Sequence, residues 1–466
     1  MTGLSAFESS IDKVEGKIRA RAKQTLKGSR TEYNGSVFEK EIRHRRQLPD
    51  STNNYFPGCR TQNDRSIFRK ADSQVKRRSL LLGAATLTLS QLAAGCGSKP
   101  ILKIRSLKNG IPAQLVSKFS REVQPSPLLQ VTQEGQLKKL FALLQEWKQV
   151  PESENQANLV MLGDYWLTLA IRQKLIQPID PAKFDNWKHL PERWRNLVTR
   201  NDDGFLDARE NVWGVPYRWG TTVIAYRTDK FKALGWTPKD WSDLWREELR
   251  DLISLPDNAR EVIGLTLKKL GKSYNTQQLD RVPNLKKELA SLHRQVKLYS
   301  SDAYLQPLIL GDTWLAVGSS GDLLPLLQTQ KDIALVIPVS GTALWTDLWV
   351  QPASGKPVPL KKNWMDFWRI FDSGKPVPLD KKWIDLWMDF CLQPQIAPQL
   401  SLLTKASSPI IFGMKPEDLP EAVRTNSVLL PDAKILAASD FLLPFGEAGI
   451  AQYRSLWQEI RQVVKS

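Results

Sequence analysis

Val215-Pro-Tyr-Arg-Trp-Gly-Thr-Thr-Val-Ile-Ala225 lies near the middle of the chain, and its second half opens an apolar, β-branched run over 221–226. A short run of this composition, rich in Val, Ile, Thr and Tyr, reads as a buried strand. Comparable runs lie outward on both sides, at 158–161, 314–317 and 333–338. Amphipathic helical patterns alternate with them at 137–150, 166–175, 260–270 and 284–296. Strands separated by helices predict an α/β fold built on a parallel or mixed sheet. No Gly/Ser or Pro linker divides the chain, so its lobes are expected to share several crossings.

Further out, Lys76-Arg77-Arg78 is followed by an apolar run over 79–94 and then by Gly95-Cys96. A basic head, an apolar core of about 16 residues and a small-residue exit describe a secretory signal. The run is short of the roughly 20 apolar residues needed to span a bilayer. Leu92-Ala93-Ala94-Gly95-Cys96 resembles a bacterial lipobox, with Ala93 where Leu is usual. That resemblance implies acylation of Cys96 and a working protein that begins there, outside the cytoplasm and held to a membrane. Arg77-Arg78 before Ser and three Leu also resembles a twin-arginine export signal, although a general secretory signal reads similarly. A short internal core helix, or a cleaved precursor without lipid, is the alternative. Residues 1–75 are polar, lack a sustained apolar period and read as disordered. Signals start close to a start codon, which predicts translation from at or near Val75. A long leader removed with the signal is the other possibility, and N-terminal sequencing of the precursor separates the two.

The leader also distorts the charge. Residues 1–95 carry 18 of the 66 basic and 9 of the 49 acidic side chains, leaving 48 against 40 in the rest, a net of +8. Half of the headline +17 is therefore leader, and a nucleic-acid partner loses most of its support. All 17 Trp follow Cys96, an abundance suited to packing or to gripping a ligand. Of the three cysteines, Cys59 lies in the leader and Cys96 at the lipobox, so Cys391 is left as a buried small hydrophobe. Without a disulfide pair the fold depends on its core.

One local repeat stands out: Gly355-Lys-Pro-Val-Pro-Leu360 recurs as Gly374-Lys-Pro-Val-Pro-Leu379, a period of 19 residues. Two units are too few for a solenoid. Trp-x-Asp-[Leu/Phe]-Trp occurs at 241–245, 345–349, 364–368 and 383–387. At helical spacing its two Trp share a face, which predicts core packing.

No catalytic constellation emerges. His189 and His293 lie far apart without metal spacing and are expected at the surface, and His44 is in the leader. Gly318-Ser319-Ser320-Gly321 lacks both the nucleophile elbow and the lysine of a phosphate loop, and reads as a turn. The segment 199–210 mimics a calcium loop but begins on Thr199 where a carboxylate belongs, so a polar loop is expected. No metal and no cofactor is expected.

Four blocks carry a more specific resemblance. Asn158-Leu-Val-Met-Leu-Gly-Asp-Tyr-Trp-Leu with Leu175-Ile-Gln-Pro-Ile-Asp180, the opening 215–225 stretch, Trp241-Ser-Asp-Leu-Trp with Pro256-Asp-Asn-Ala-Arg-Glu-Val262, and Leu344-Trp-Thr-Asp-Leu-Trp-Val-Gln-Pro352 resemble, in order, the bacterial spermidine/putrescine-binding proteins. The resemblance spans nearly all of 100–466. It implies a type II periplasmic binding fold, two α/β lobes joined by hinge strands over a ligand cleft. The implied organisation is signal 76–95, first lobe 96–220, second lobe 221–346, a return to the first lobe over 347–412 carrying the duplication, and second-lobe helices over 413–466.

A polyamine needs carboxylates at its amines and aromatic faces along its methylenes. The resemblance places Tyr165, Glu261, Trp345 and Asp347 at ligand-binding positions with the family's residue type: Asp347 and Glu261 for amines, Trp345 for the chain. Asn258 stands where the family has an acid, Gly163 replaces a Ser, Gly318 an aromatic and Leu442 a polar residue, and the early Trp-Thr-x-Tyr clamp is missing from Ser106 to Gly110. Asp164 is a candidate replacement carboxylate. Each has an alternative. Asn258-Ala-Arg-Glu261 also reads as a capping box opening a helix. Trp345 could be core like its three counterparts, and Asp347, if buried, needs a cation or a ligand.

The expected protein is a lipid-anchored solute-binding component of a polyamine-type ABC importer, monomeric, working with a permease and an ATPase. It is not expected to be an enzyme. The alternatives are the same fold with a different small solute, or a lipoprotein that acts through protein–protein contacts.

Overall fold

The 215–225 stretch forms most of one long strand. In the computed structural model, which describes residues 100–150, 155–353 and 381–462, that strand runs over Val215–Arg227 and is buried along Val215–Ala225. Burial on both faces explains why its sequence shows an apolar run rather than alternation. The described strands are β1 (Ile101–Leu107), β2 (Leu128–Glu134), β3 (Leu159–Gly163), β4 (Ile176–Gln177), β5 (Thr199–Arg200), β6 (Asn211–Val212), β7 (Val215–Arg227), β8 (Ile253–Leu255), β9 (Val296–Tyr299), β10 (Leu315–Ser319), β11 (Ile333–Val336), β12 (Ala343–Pro352) and β13 (Asp440–Phe441). Eleven of them join one mixed sheet whose main path is β2-β1-β3-β12-β7-β10-β8-β9.

Each flank of that path is parallel: β1 with β2 and β3, and β8 with β9 and β10. The two flanks meet through antiparallel pairing. The first half of β7 pairs with β12, and its second half pairs with β10 and β11. Beyond β7, β12 pairs with β3 on its other side. Thus β7 and β12 are the crossings that tie the two lobes together.

Each lobe has its own core. One groups Leu102, Phe119, Trp147, Leu162, Trp219, Trp349 and Trp387; the other groups Ile224, Trp241, Leu265, Tyr274, Leu292 and Leu315. Trp147, Trp219, Trp241, Trp349 and Trp387 are all fully buried, so much of the tryptophan serves packing. Late in the chain, Leu419, Val423 and Phe441 belong to the first core, and Phe445, Tyr453 and Ile460 to the second. Cys391 is buried in the first core, where burial pushes its thiol up.

The Trp-x-Asp-x-Trp segments do not share one conformation. Trp241–Trp245 is a 3-10 helix, 345–349 lies in β12, and 383–387 lies in the α-helix Lys381–Cys391. The segment 364–368, the 355–379 duplication, the leader, the signal and Cys96 lie outside the described residues. In β12 the helical reading fails because the strand is paired on both sides, by β3 and β7. Gly318–Gly321 is a strand-to-helix junction rather than a free turn: Ser319 caps the helix Ser320–Leu326, its hydroxyl accepting from Gly321 N–H. His293 is buried, contrary to the surface expectation, because its ring stacks on Tyr299 with Nδ1 3.2 Å from the phenol oxygen. The 199–210 loop folds around Asn201, whose side chain accepts from Asp203 and Phe205 N–H, and no candidate metal cluster occurs among the described residues.

Candidate functional site

The site is built where β7 crosses β12. Trp345 lies opposite Gly220 and Asp347 opposite Arg218, two neighbouring cross-strand pairs on one face. Immediately after Asp347 the register slips at a bulge. Bulges re-aim side chains at such points. Gly220 is required here, since a Cβ would lie 2.4 Å from the Trp345 ring and 2.3 Å from Ser320 Oγ. The half-buried indole donates from Nε1 to the Thr221 carbonyl at 3.4 Å. A Cβ on Gly321, at the start of the second-lobe helix, would be 3.0 Å from the same ring.

Asp347 is buried, and Arg218 Nε donates to its Oδ2 at 2.8 Å. The buried acid therefore has its cation inside the chain. Burial raises the Asp347 carboxyl, and the Arg218 guanidinium opposes the rise. Asp164, at the start of the helix Asp164–Arg172, accepts from Thr346 N–H at 3.1 Å, so it reaches the same crossing from the first lobe. Burial pushes its carboxyl up to about 7 even though that N–H and the Arg200 charge pull it down.

From the second lobe come Glu261 and Asp322. Glu261, half-buried, accepts from Thr222 Oγ1 at 3.2 Å, and burial pushes it up to about 7. Thr221 and Thr222 are consecutive in β7, so the indole and this carboxylate share one stretch of strand. Asn258 caps the helix Ala259–Lys269, its Oδ1 accepting from Arg260 N–H and Glu261 N–H. Only that half of the capping box forms: the Glu261 carboxylate faces Thr222 instead. Asn258 itself is exposed, with its side-chain oxygen occupied by the helix.

Tyr165 is 53% exposed, yet surrounding protein pushes its phenol up to about 12, with the charges of Asp347, Asp164 and Asp322 adding to the rise. Asp322 is likewise exposed with a raised carboxyl. The Asp322 charge acts on the Tyr165 phenol, so this first-lobe tyrosine and second-lobe aspartate, both open to solvent, lie near one another. Gln136 Nε2 donates to Asp302 Oδ1 at 3.2 Å, a second link between the lobes.

Three participants carry no mark of their own in the sequence: Arg218, Tyr304 and Asp322. Tyr304 explains Gly318. A Cβ at Gly318 would lie 2.0 Å from the Tyr304 ring, so this ring occupies the space beside the strand, and its hydroxyl donates to Asp322 Oδ2 at 2.9 Å. The missing aromatic at 318 is a readable signal; its replacement 14 residues earlier is not. Gly163 works similarly, leaving room for the Tyr165 ring, which a Cβ would approach to 2.7 Å.

A sequence profile described as "Bacterial extracellular solute-binding protein" matches residues 154–370. The chain is 24% identical over 382 residues to the spermidine/putrescine-binding periplasmic protein of Salmonella typhimurium, covering 82% of this chain and 97% of that one. Over 387 residues it is 24% identical to the Escherichia coli K12 protein of the same name, covering 83% and 97%. The fold is similar to the spermidine/putrescine ABC transporter substrate-binding protein PotD from Streptococcus pneumoniae, with a TM-score of 0.63 at 20% identity, covering 78% of this chain and 98% of that one. Two lobes tied by crossing strands, charged side chains gathered at the crossing and these similarities agree: the chain is similar to the bacterial extracellular solute-binding proteins over 154–370 and, over most of its length, to the spermidine/putrescine-binding periplasmic proteins, which supports a solute-binding role.

Proposed function

We propose that this protein captures a small amine-bearing solute of the polyamine type outside the cytoplasm and delivers it to an ABC permease and its ATPase. The observation that carries the reading is the convergence of Asp164 and Glu261 with the Trp345 indole on one crossing of β7 and β12, beside the Asp347 carboxylate that Arg218 holds. Carboxylates suit ammonium groups, and an indole face suits both a methylene chain and a cation. Tyr165 extends the aromatic surface from the first lobe, and Asn258 sits at the rim. The names of the relatives supply polyamine as the class. Capture works by hinge closure, the motion usual for periplasmic binding proteins. The two cores support a division of the chain into two lobes, with Phe441 in the first core and Phe445 in the second.

Titration calorimetry with spermidine and putrescine tests the reading. The expected result is binding in the micromolar range or tighter, weakened at least tenfold by Glu261→Gln. Binding of no small amine at all would favour a lipoprotein that acts through protein contacts. The second solute reading, the same fold with a different amine, is favoured by one observation: Arg218 already holds Asp347. Cys96 anchors the protein through its acyl chains, which hold a membrane better than one chain does. Detergent partitioning checks this: Cys96→Ser is expected to move the exported protein into the aqueous phase, and a variant still in the detergent phase defeats the anchor.

A further inference from the structure

We infer that the solute carries a carboxylate as well as an amine, and that Arg218 is the residue that selects it. This rests on the amine-solute reading above and narrows its class.

Arg218 is 6% exposed and lies on the strand face that also presents Gly220, opposite the Trp345 and Asp347 positions. Its guanidinium meets Asp347 edge-on, through Nε alone, at 2.8 Å. Neither Nη group has a protein acceptor among the described residues, and neither is among the buried polar atoms left without a partner, so both keep access to solvent and face outward from the pair. A fork of paired N–H groups matches a carboxylate in two-point geometry. The residual exposure of Arg218 is the opening through which such a group reaches it. Asp347 fixes the Nε edge, so the Nη edge is the one presented to a ligand.

The surroundings set the rest of the molecule. Asp347 is neutralised by Arg218, which removes one acid from amine recognition. Glu261 and Asp322 stay available from the second lobe, with the Trp345 ring between the crossing and the helix that bears Asp322. A doubly charged phosphate would face Asp164, Asp322 and Asp347 together, so a singly charged carboxylate suits the cleft better. The ligand class that satisfies both ends is an ω-amino acid: ammonium at the second-lobe acids, methylenes along the indole, carboxylate on the Arg218 fork.

The test is calorimetry on the purified protein with matched pairs of equal chain length, 1,4-diaminobutane against 4-aminobutanoate and 1,5-diaminopentane against 5-aminopentanoate. The wild-type protein is expected to bind the amino acid of at least one pair about tenfold or more tighter than its diamine. Arg218→Met is expected to abolish or reverse that ratio. Because losing the cation leaves Asp347 buried alone and that variant can unfold, Arg218→Lys is the second variant: it keeps a counter-charge but not the planar fork, and is expected to lower the ratio about tenfold. A wild-type preference for the diamines, or a ratio unmoved in both variants, overturns the Arg218 assignment while leaving amine binding intact. Failure of every amine to bind the wild-type protein overturns the underlying amine reading, a separate and visible outcome.

Discussion

Asp347→Ala is expected to destabilise the ligand-free protein by about 3–5 kcal/mol, the range for a buried pair that loses one partner. The carboxylate and guanidinium are both buried and 2.8 Å apart, on directly opposed residues of the two strands that join the lobes. Removing the acid strands a buried cation at the point where both cores are tied. Asp347→Asn keeps the shape yet still leaves the charge uncompensated, so it is expected to follow the alanine variant rather than wild type. The double variant Arg218→Met with Asp347→Leu should recover most of the loss, because apolar replacements of buried pairs are often neutral or better. Urea unfolding without ligand measures all three. If Asp347 served only to hold a ligand, its loss would weaken binding and leave unfolding unchanged; that outcome defeats the structural role of the pair.

The second large effect is on pH. Asp164 and Glu261 both have carboxyls raised to about 7 by burial, from ordinary values of 3.8 and 4.5. Folding therefore takes up protons between about pH 4 and 7, and the stability contributed is present below the unfolded values and lost as pH rises through 7. The ligand-free protein is expected to be less stable at pH 8 than at pH 6, with Glu261→Gln gaining roughly 1–3 kcal/mol over wild type at pH 8 and nothing at pH 4. A bound ammonium has the opposite preference, since it favours the ionised acids. Amine affinity should rise about tenfold or more from pH 6 to 8, with protons released on binding. Calorimetry in buffers of different ionisation enthalpy counts those protons. Proton-neutral binding at pH 6.5 would remove Asp164 and Glu261 from contact with the amine.

The secondary elements are legible in the sequence because they depend on local pattern. The runs at 158–161, 221–226, 314–317 and 333–338 fall in β3, β7, β10 and β11, and the helical periods at 137–150 and 284–296 match helices Leu137–Gln149 and Leu285–Gln295. The resemblance also leads to Trp345, Asp347, Glu261 and Asp164, which the fold gathers at one crossing. Arg218 stands in plain sight within the 215–225 stretch, but an arginine in a strand is usually at the surface. Only a cross-strand partner makes it a buried ion pair. Asp322 and Tyr304 are hidden for the same reason: their meeting depends on β10 and its following helix packing back on the 300–305 turn.

The pentapeptide Trp-x-Asp-Leu-Trp shows where the division lies. From its own residues come the two indoles, the intervening acid and the demand for burial, and these hold at 241–245, 345–349 and 383–387 alike. Whether it becomes a 3-10 helix, a strand or an α-helix is decided by its neighbours, because a strand's hydrogen bonds are supplied by chain that is distant in sequence. The alternation of strand and helix, the apolar cores and the resemblance to solute-binding proteins were written in the chain itself. Which carboxylate is spent on Arg218, which ring fills the space beside Gly318 and which acids have their carboxyls raised followed from burial and strand register, quantities that exist only once the chain has closed on itself.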